Sequence, residues 1–331
     1  MVIRFQDYVE SLKPSLDTAF TGHLAQLLGD MGSLQPGLRT KLLAGGKKIR
    51  GSLLCLVTGA LGGALEDALP RAVAVELIQT ATLVHDDFVD QHRLRRNLPA
   101  LWTLEGARRA VLLGDVIFAS AIHAMTDLSR DDGLIVSRAI AEVSRGAYRE
   151  PLGPSALLEE MEGDCGNGTI YDTIIYLKTG SLFGAACQLG AIAAGADGER
   201  QEKWRCYGLR IGEAYQIADD LQEVARFRRA PTATRAEVVA LAPVLVFFVP
   251  EMRPRILKAL RRRSSAVIED LVAEFEEAAK LMGEEIERRL RSALAAIEEG
   301  LTDTEAGRLS RTAPWDLIRM FNEADRQISS R

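Results

Sequence analysis

LVHDDFVD, residues 83–90, closes an apolar run from Ala72 to Val84 whose residues recur at helical spacing. Asp86, Asp87 and Asp90 therefore fall in the last turns of a predicted helix. Negative charge there meets the negative pole of the macrodipole, and Asp86 and Asp90, four apart on one face, repel by roughly 0.2–0.5 kcal/mol. Such an arrangement needs a cation beside it. It returns in YQIADDLQEV, residues 215–224, where Asp219, Asp220 and Glu223 end a second apolar helical run. Alone, either cluster also reads as a solvated acidic helix end. Together, on helices that face each other across a bundle, they make an all-oxygen pocket suited to Mg²⁺, which takes a few carboxylates plus substrate phosphates and water.

Outward from these two stretches the chain reads as helix almost throughout. Phe5, Val9, Leu12, Leu16, Phe20, Leu24 and Leu27 step by three or four, and further helices are predicted at about 37–61, 66–91, 101–128, 132–150, 155–163, 168–195 and 200–226. Beyond these come 234–249, 252–262, 264–298, 303–311 and 314–329. No strict period-two alternation competes, no 34- or 40-residue repeat is visible, and no linker interrupts the chain. The expectation is an all-α chain, one large helical bundle forming a single domain over residues 1–331. With 47% hydrophobic residues and 26% charged, the 331 residues are not those of a disordered chain. The net charge of −5 argues against a nucleic-acid binder, which normally presents a basic face. Cys55, Cys165, Cys187 and Cys206 are too scattered for a zinc site or a disulfide framework, so a reducing, cytoplasmic setting is expected. The longest apolar run, Val238–Val249, is short and holds Pro243, so no membrane span is expected.

The cations lie in separate segments. Gly45-Gly46-Lys47-Lys48-Ile49-Arg50 places positive charge where a helix begins, which opposes the dipole unless an anion sits there. A diphosphate meets that need: the glycines let the backbone approach it, and Lys47 and Arg50, three apart, can point to one side. Arg95 and Arg96 follow the first acidic cluster in a loop held by Pro99, and guanidinium groups bind phosphate bidentately. Lys178-Thr179-Gly180 lies inside a long apolar helix, where an unpaired lysine is expensive to bury and so should face an anion. Gly180 also permits a kink that turns backbone carbonyls outward.

These stretches resemble the trans-isoprenyl diphosphate synthases of the polyprenyl synthetase family. GGKKIR at 45–50, DDFVD at 86–90 with RRNLP at 95–99, GD at 114–115, KT at 178–179 and YQIADD at 215–220 occur in that family's order and spacing. The resemblance implies an isoprenoid-synthase helical bundle with a central cavity, usually a homodimer. It implies a Mg²⁺-dependent head-to-tail condensation of isopentenyl diphosphate with an allylic diphosphate. Carried over, Gly46, Lys47, Arg50, Gln79 and Arg96 would hold isopentenyl diphosphate, and Arg95 and Lys178 the allylic diphosphate. Asp86, Asp90 and Asp219, with Asp87, Asp220 and Glu223 beside them, would bind the metal. Thr179 and Gln216 would steady the allylic cation. Small residues at Ala81 and Thr82, where family members with short products carry aromatics, imply geranylgeranyl diphosphate or a longer product. Phe118 is a candidate floor for the growing chain.

Departures from the pattern keep other readings open. Gln79 stands where a histidine is frequent, Asn97 where glycine is usual, and Glu223 where a third aspartate is usual. The lysine-bearing stretch after the second cluster is replaced by VARFRRAP, with Arg226, Arg228 and Arg229 as substitutes. A non-catalytic or regulatory subunit of a heteromeric synthase and a class I terpene cyclase are the alternatives. His85, a lone histidine at a helix end, is read as packing.

Overall fold

The computed structural model describes residues 4–29, 42–150, 154–163, 169–229, 235–262 and 272–329. Besides a short helical stretch at 42–44, fourteen α-helices follow one another among these: α1 (Phe5–Leu28), α2 (Ile49–Ala60), α3 (Leu65–Val89), α4 (Leu101–Glu105), α5 (Ala107–Leu128), α6 (Arg130–Arg149), α7 (Pro154–Gly163), α8 (Thr169–Ile175), α9 (Ser181–Ala193), α10 (Gly198–Arg229), α11 (Arg235–Phe248), α12 (Arg253–Arg262), α13 (Val272–Ile297) and α14 (Glu305–Ser329). A single π-helical turn, Tyr176–Gly180, joins α8 to α9, so the kink expected at Gly180 is a local widening of the helix. The all-α class holds with one small exception, a hairpin of β1 (Leu94–Arg95) and β2 (Leu98–Pro99), paired Leu94 to Pro99 and Arg95 to Leu98. Arg96 and Asn97 form its two-residue turn at φ +54° and +61°, which demands positive φ at both positions and explains the asparagine.

The chain divides into two compact units. The first comprises Met1–Ala141, Leu182–Gly208 and Leu294–Arg331. Its centre is α3, which packs against α2 and α5 and buries Ala72, Val73, Ala74, Val75, Leu77 and Ile78. Small and branched side chains on successive positions bury more than one face of this helix, as a central element requires. Arg71 ties α3 to the start of α6 through two hydrogen bonds of 2.7 and 2.8 Å to the fully buried Asp132. Three sequence expectations change here. The helix expected over 37–61 is broken at 45–48, before α2. The helix expected over 101–128 breaks at Gly106, whose φ of +85° belongs to glycine. The two helices expected at 303–311 and 314–329 are one, α14, with Pro314 inside it. Proline has no N–H for the carbonyl of Ser310, four residues back, and the hydroxyl of fully buried Tyr207 donates to that carbonyl instead at 2.8 Å. Among the described residues one helix, Ala107–Leu128, is long and apolar enough to cross a membrane by length and composition. It leaves Leu112 and Leu128 exposed.

The second unit comprises Glu142–Ser181 and Leu209–Ala293. Within it α11 packs on α7 and α8, and α12 on α7. Its polar centre is Arg289 on α13, almost fully buried, which donates to Glu213 of α10, to Asp172 of α8 at 2.5 Å and to Glu285 at 2.6 Å. An arginine bonded to three carboxylates offsets the large penalty of burying charge. Of the four cysteines, Cys55, Cys187 and Cys206 are free thiols, and Cys165 lies outside the described residues.

Candidate active site

In the first unit, α3 ends at Val89, two residues before the expected end at 91, and Asp90 caps it with its N–H bonded to the carbonyl of Asp86 at 2.8 Å. Asp86 is half-buried and Asp90 exposed, whereas Asp87 is buried. The cation expected beside this cluster is Arg95: its Nε and Nη2 both donate to Asp87 Oδ1. The hairpin makes that contact, because a tight two-residue turn sends β1 and β2 back along the end of α3. Asp87 thus holds the guanidinium of Arg95, and Asp86 and Asp90 carry the negative charge at the helix end. His85, one residue earlier, lies within 2.9 Å of the carbonyl of Val111 and sets its ring against Phe118. Gly114 makes room for it, since a Cβ there would fall 2.1 Å from His85 Nε2.

The GGKKIR segment lies before α2. Gly46 has φ +131° and Lys48, the residue preceding the helix, +52°. A Cβ at Gly45 or Gly46 would come within 2.9 or 2.8 Å of the guanidinium of Arg96. The glycines therefore admit an arginine against the backbone. Arg50 stacks its guanidinium 4.4 Å from the ring centre of Phe183, and Lys47 Nζ donates to the carbonyl of Met320 at 3.2 Å. The anion expected at the start of α2 is partly built in: the N–H of Gly51 donates to Glu76 Oε1 at 2.8 Å. Gln79 is half-buried on α3. Behind the acidic end, Ala81 is fully buried among neighbours of α3. Further back, a half-open apolar cleft of about 400 Å³ is lined by His23, Val73, Ala74, Leu77, Met125 and Leu128.

In the second unit, Lys178 stands in the π turn and pairs with Glu150, the anion its setting required. Thr179 is buried and donates to Gln216 Oε1 at 2.7 Å, and Gln216 Nε2 donates to Asp220 Oδ1 at 3.1 Å. The hydroxyl of Tyr171 donates to the other oxygen of Asp220. Burial pushes the Asp220 carboxyl up to about 7, against the pull of the Tyr171 and Gln216 hydrogen bonds, and Asp219 and Glu223 add to the rise. Desolvation and Asp219 likewise raise Glu223, while Arg226 draws it down. Asp219 is exposed at the end of the row. The side chains of Arg228 and Arg229 lie outside the described residues. Glu76, Glu150 and Tyr171 were missed by sequence reasoning. Only Glu76 left a signal, a single acid within an apolar run.

The donor set suits a hard divalent cation. It consists of carboxylate oxygens whose mutual repulsion and desolvation already lift two of them, and a cation would relieve that strain. Among the described residues no three acidic, histidine or cysteine side chains gather as a ready cage.

Acid-ended helices and separate groups of fixed cations in an all-α chain define the isoprenoid-synthase class of helical proteins. The chain belongs to the polyprenyl synthetase family, whose sequence pattern matches residues 34–229. It is 38% identical over 183 residues to a short chain isoprenyl diphosphate synthase of Methanothermobacter thermautotrophicus, covering 55% of this chain and 56% of that one. It is 32% identical over 217 residues to a geranylgeranyl diphosphate synthase of Mycobacterium tuberculosis, covering 64% and 58%. The chain thus spans a little over half the length of these curated relatives. Among solved structures it resembles a polyprenyl synthase from Caulobacter crescentus CB15 complexed with calcium and isoprenyl diphosphate, with TM-score 0.73 and 25% identity over 95% of this chain and 97% of that one. It has the fold of a decaprenyl diphosphate synthase from Rhodobacter capsulatus, with TM-score 0.75 and 24% identity over 96% and 99%.

Proposed function

We propose that this chain is a prenyltransferase that joins isopentenyl diphosphate head-to-tail to an allylic diphosphate, giving geranylgeranyl diphosphate or a longer trans-prenyl diphosphate. The observation that carries the reading is the sorting of its cations. Lys47, Lys48, Arg50 and Arg96 belong to one segment and its glycine-paired neighbour, while Lys178 stands in a π turn of the other unit. Two anchors imply two diphosphates, whereas a cyclase binds one. The family membership and the names of the relatives support the same reaction. A single catalytic domain over residues 1–331 is part of the same proposal.

Mg²⁺ held by Asp86, Asp90, Asp219 and Glu223 would neutralise the leaving diphosphate as the allylic carbon–oxygen bond breaks. Asp87 keeps Arg95 extended for that diphosphate, and Asp220 holds Gln216 in place. Lys178 adds a point charge. The bond's electron pair leaves with the diphosphate, and the resulting allylic cation faces the oxygen dipoles of Thr179 and Gln216. Lys47, Arg50 and Arg96 hold isopentenyl diphosphate so that its double bond attacks the cation and forms the new carbon–carbon bond. The released diphosphate then takes the proton that is lost. Apolar walls around Ala81 keep water from the cation.

The exposed leucines Leu104, Leu112, Leu128 and Leu134 support a homodimer, a second copy covering the outer face of α5 and its neighbours. The test is the purified full chain supplied with Mg²⁺, isopentenyl diphosphate and each allylic primer in turn. Elongated diphosphates are expected. Cyclic hydrocarbon would mark a cyclase, and no product until another subunit is added would mark a partner subunit. Lys47→Ala should mainly raise KM for isopentenyl diphosphate and Lys178→Ala should slow ionisation of the allylic substrate; equal effects on both substrates would refute two anchors.

A further inference from the structure

The cation anchor before α2 contains a feature its role does not explain, a buried carboxylate. Glu76 is 7% exposed on α3, ten residues before Asp86. Its Oε1 accepts the Gly51 N–H at 2.8 Å, one of the first-turn donors of α2 that no residue within that helix can satisfy. The absence of a side chain at Gly51 leaves room for this contact, since a Cβ there would lie 3.2 Å from Glu76 Cγ. Lys48 is 3% exposed with its Nζ 3.3 Å from the ring centre of Phe20. Burial lowers the Lys48 pKa, with Glu76 and Asp17 opposing that fall and Arg96 and Lys13 adding to it. For Arg96 the downward pull comes from burial and Arg95, and Glu76 and Asp87 resist it. Glu76 thus acts on both Lys48 and Arg96.

We propose that Glu76 is a positioning residue for the diphosphate anchor: its carboxylate fixes the start of α2 and balances the surrounding cations, so that the anchor is preformed yet tempered in its hold on an anion. The two halves of this role separate chemically. The acceptor oxygen holds the backbone that carries Lys47, Lys48 and Arg50, while the negative charge weakens the field felt by an incoming diphosphate. A group that binds only by geometry keeps its effect when its charge is removed, and a counter-charge does not. The inference rests on the proposed reaction for the identity of the anion, isopentenyl diphosphate, and on the geometry alone for the rest.

Glu76→Gln and Glu76→Ala in the full chain divide the role. Glutamine keeps an acceptor for Gly51 and loses the charge; alanine loses both. Hydrogen exchange over residues 45–55 should speed up at least tenfold in Glu76→Ala and stay near wild type in Glu76→Gln. Calorimetric titration with isopentenyl diphosphate in EDTA should show binding weakened at least tenfold by Glu76→Ala. Glu76→Gln should bind severalfold tighter than wild type, more so at low ionic strength. Unchanged exchange in Glu76→Ala, or equal weakening in both variants, would overturn the proposal. If Glu76→Ala does not fold, Glu76→Gln still decides it, since weaker binding there refutes the counter-charge. A wild type that binds no isopentenyl diphosphate would sink the proposed reaction, and the exchange contrast would then decide the positioning role by itself.

Discussion

Replacing Asp220 by asparagine should make the protein more stable at neutral and alkaline pH, although it removes a hydrogen-bonded side chain. The carboxyl ionises near 3.8 in the unfolded chain and near 7 in the folded one, because burial beside Asp219 and Glu223 disfavours its charge. Between those pH values the unfolded chain has released the proton and the folded chain has kept it. Stability from this group is therefore full below about pH 3.8, falls as the pH rises, and is lost above 7. A displacement of about three pH units at 1.36 kcal/mol each is a loss of about 4 kcal/mol. Asparagine never ionises, and its amide can still meet Tyr171 and Gln216 at the loss of about 1 kcal/mol of hydrogen bonding. Urea unfolding in EDTA should then find Asp220→Asn more stable than wild type by about 2–4 kcal/mol at pH 8 and no more stable at pH 4. Added Mg²⁺ should narrow the gap at pH 8, and turnover should fall in the variant that gained stability. A gap of the same size at both pH values, or a less stable variant at pH 8, would refute the reasoning.

Tyr207→Phe should cost about 1–3 kcal/mol, because the Ser310 carbonyl that Pro314 cannot reach loses its buried donor, and calorimetric melting should show the loss with turnover per folded molecule unchanged. Gly114→Ala should destabilise the chain by driving a methyl into the His85 ring, whose Nε2 would lie 2.1 Å away; His85→Gly should remove most of that penalty in a double-mutant cycle, and additive effects would count against the contact. Ala81→Phe fills a fully buried position one helical turn back from the acidic end of α3 and should shorten the product toward fifteen carbons, as read by chromatography after dephosphorylation. An unchanged product in a folded variant would place the limiting wall elsewhere.

What the sequence disclosed depended on whether its signal was local. Apolar periodicity placed the end of α3 to within two residues, and Lys178-Thr179-Gly180 inside an apolar helix marked a kink without showing that it is a π turn. The hairpin was not visible, because strands of two residues are too short to show alternation, although Asn97 at its turn marked the spot. Pro314 ended a helix in the reading and did not in the structure, since the donor that rescues Ser310 comes from 103 positions away. The same distance problem hid the partners of the site. Lys178 announced that it needed an anion without saying that Glu150 was the one, and nothing in the order of residues tied Tyr171 to Asp220. Side chains that meet across the fold declare their chemistry in sequence and their addresses only in space.

The guanidinium of Arg96 against Gly45 and Gly46 bears on the routes by which this sequence could drift. At Gly45 the obstacle to a larger residue is the arginine itself, 2.9 Å from where a Cβ would be, and the backbone there does not require positive φ. At Gly46 the obstacle is double, since its φ of +131° would remain after the arginine had gone. Alanine at 45 thus displaces the tip of the Arg96 side chain in a lineage that keeps it and displaces nothing in one that has already surrendered it, whereas glycine at 46 outlasts either history. Order of change, and not only the final pair, would decide whether Arg96 is moved on the way.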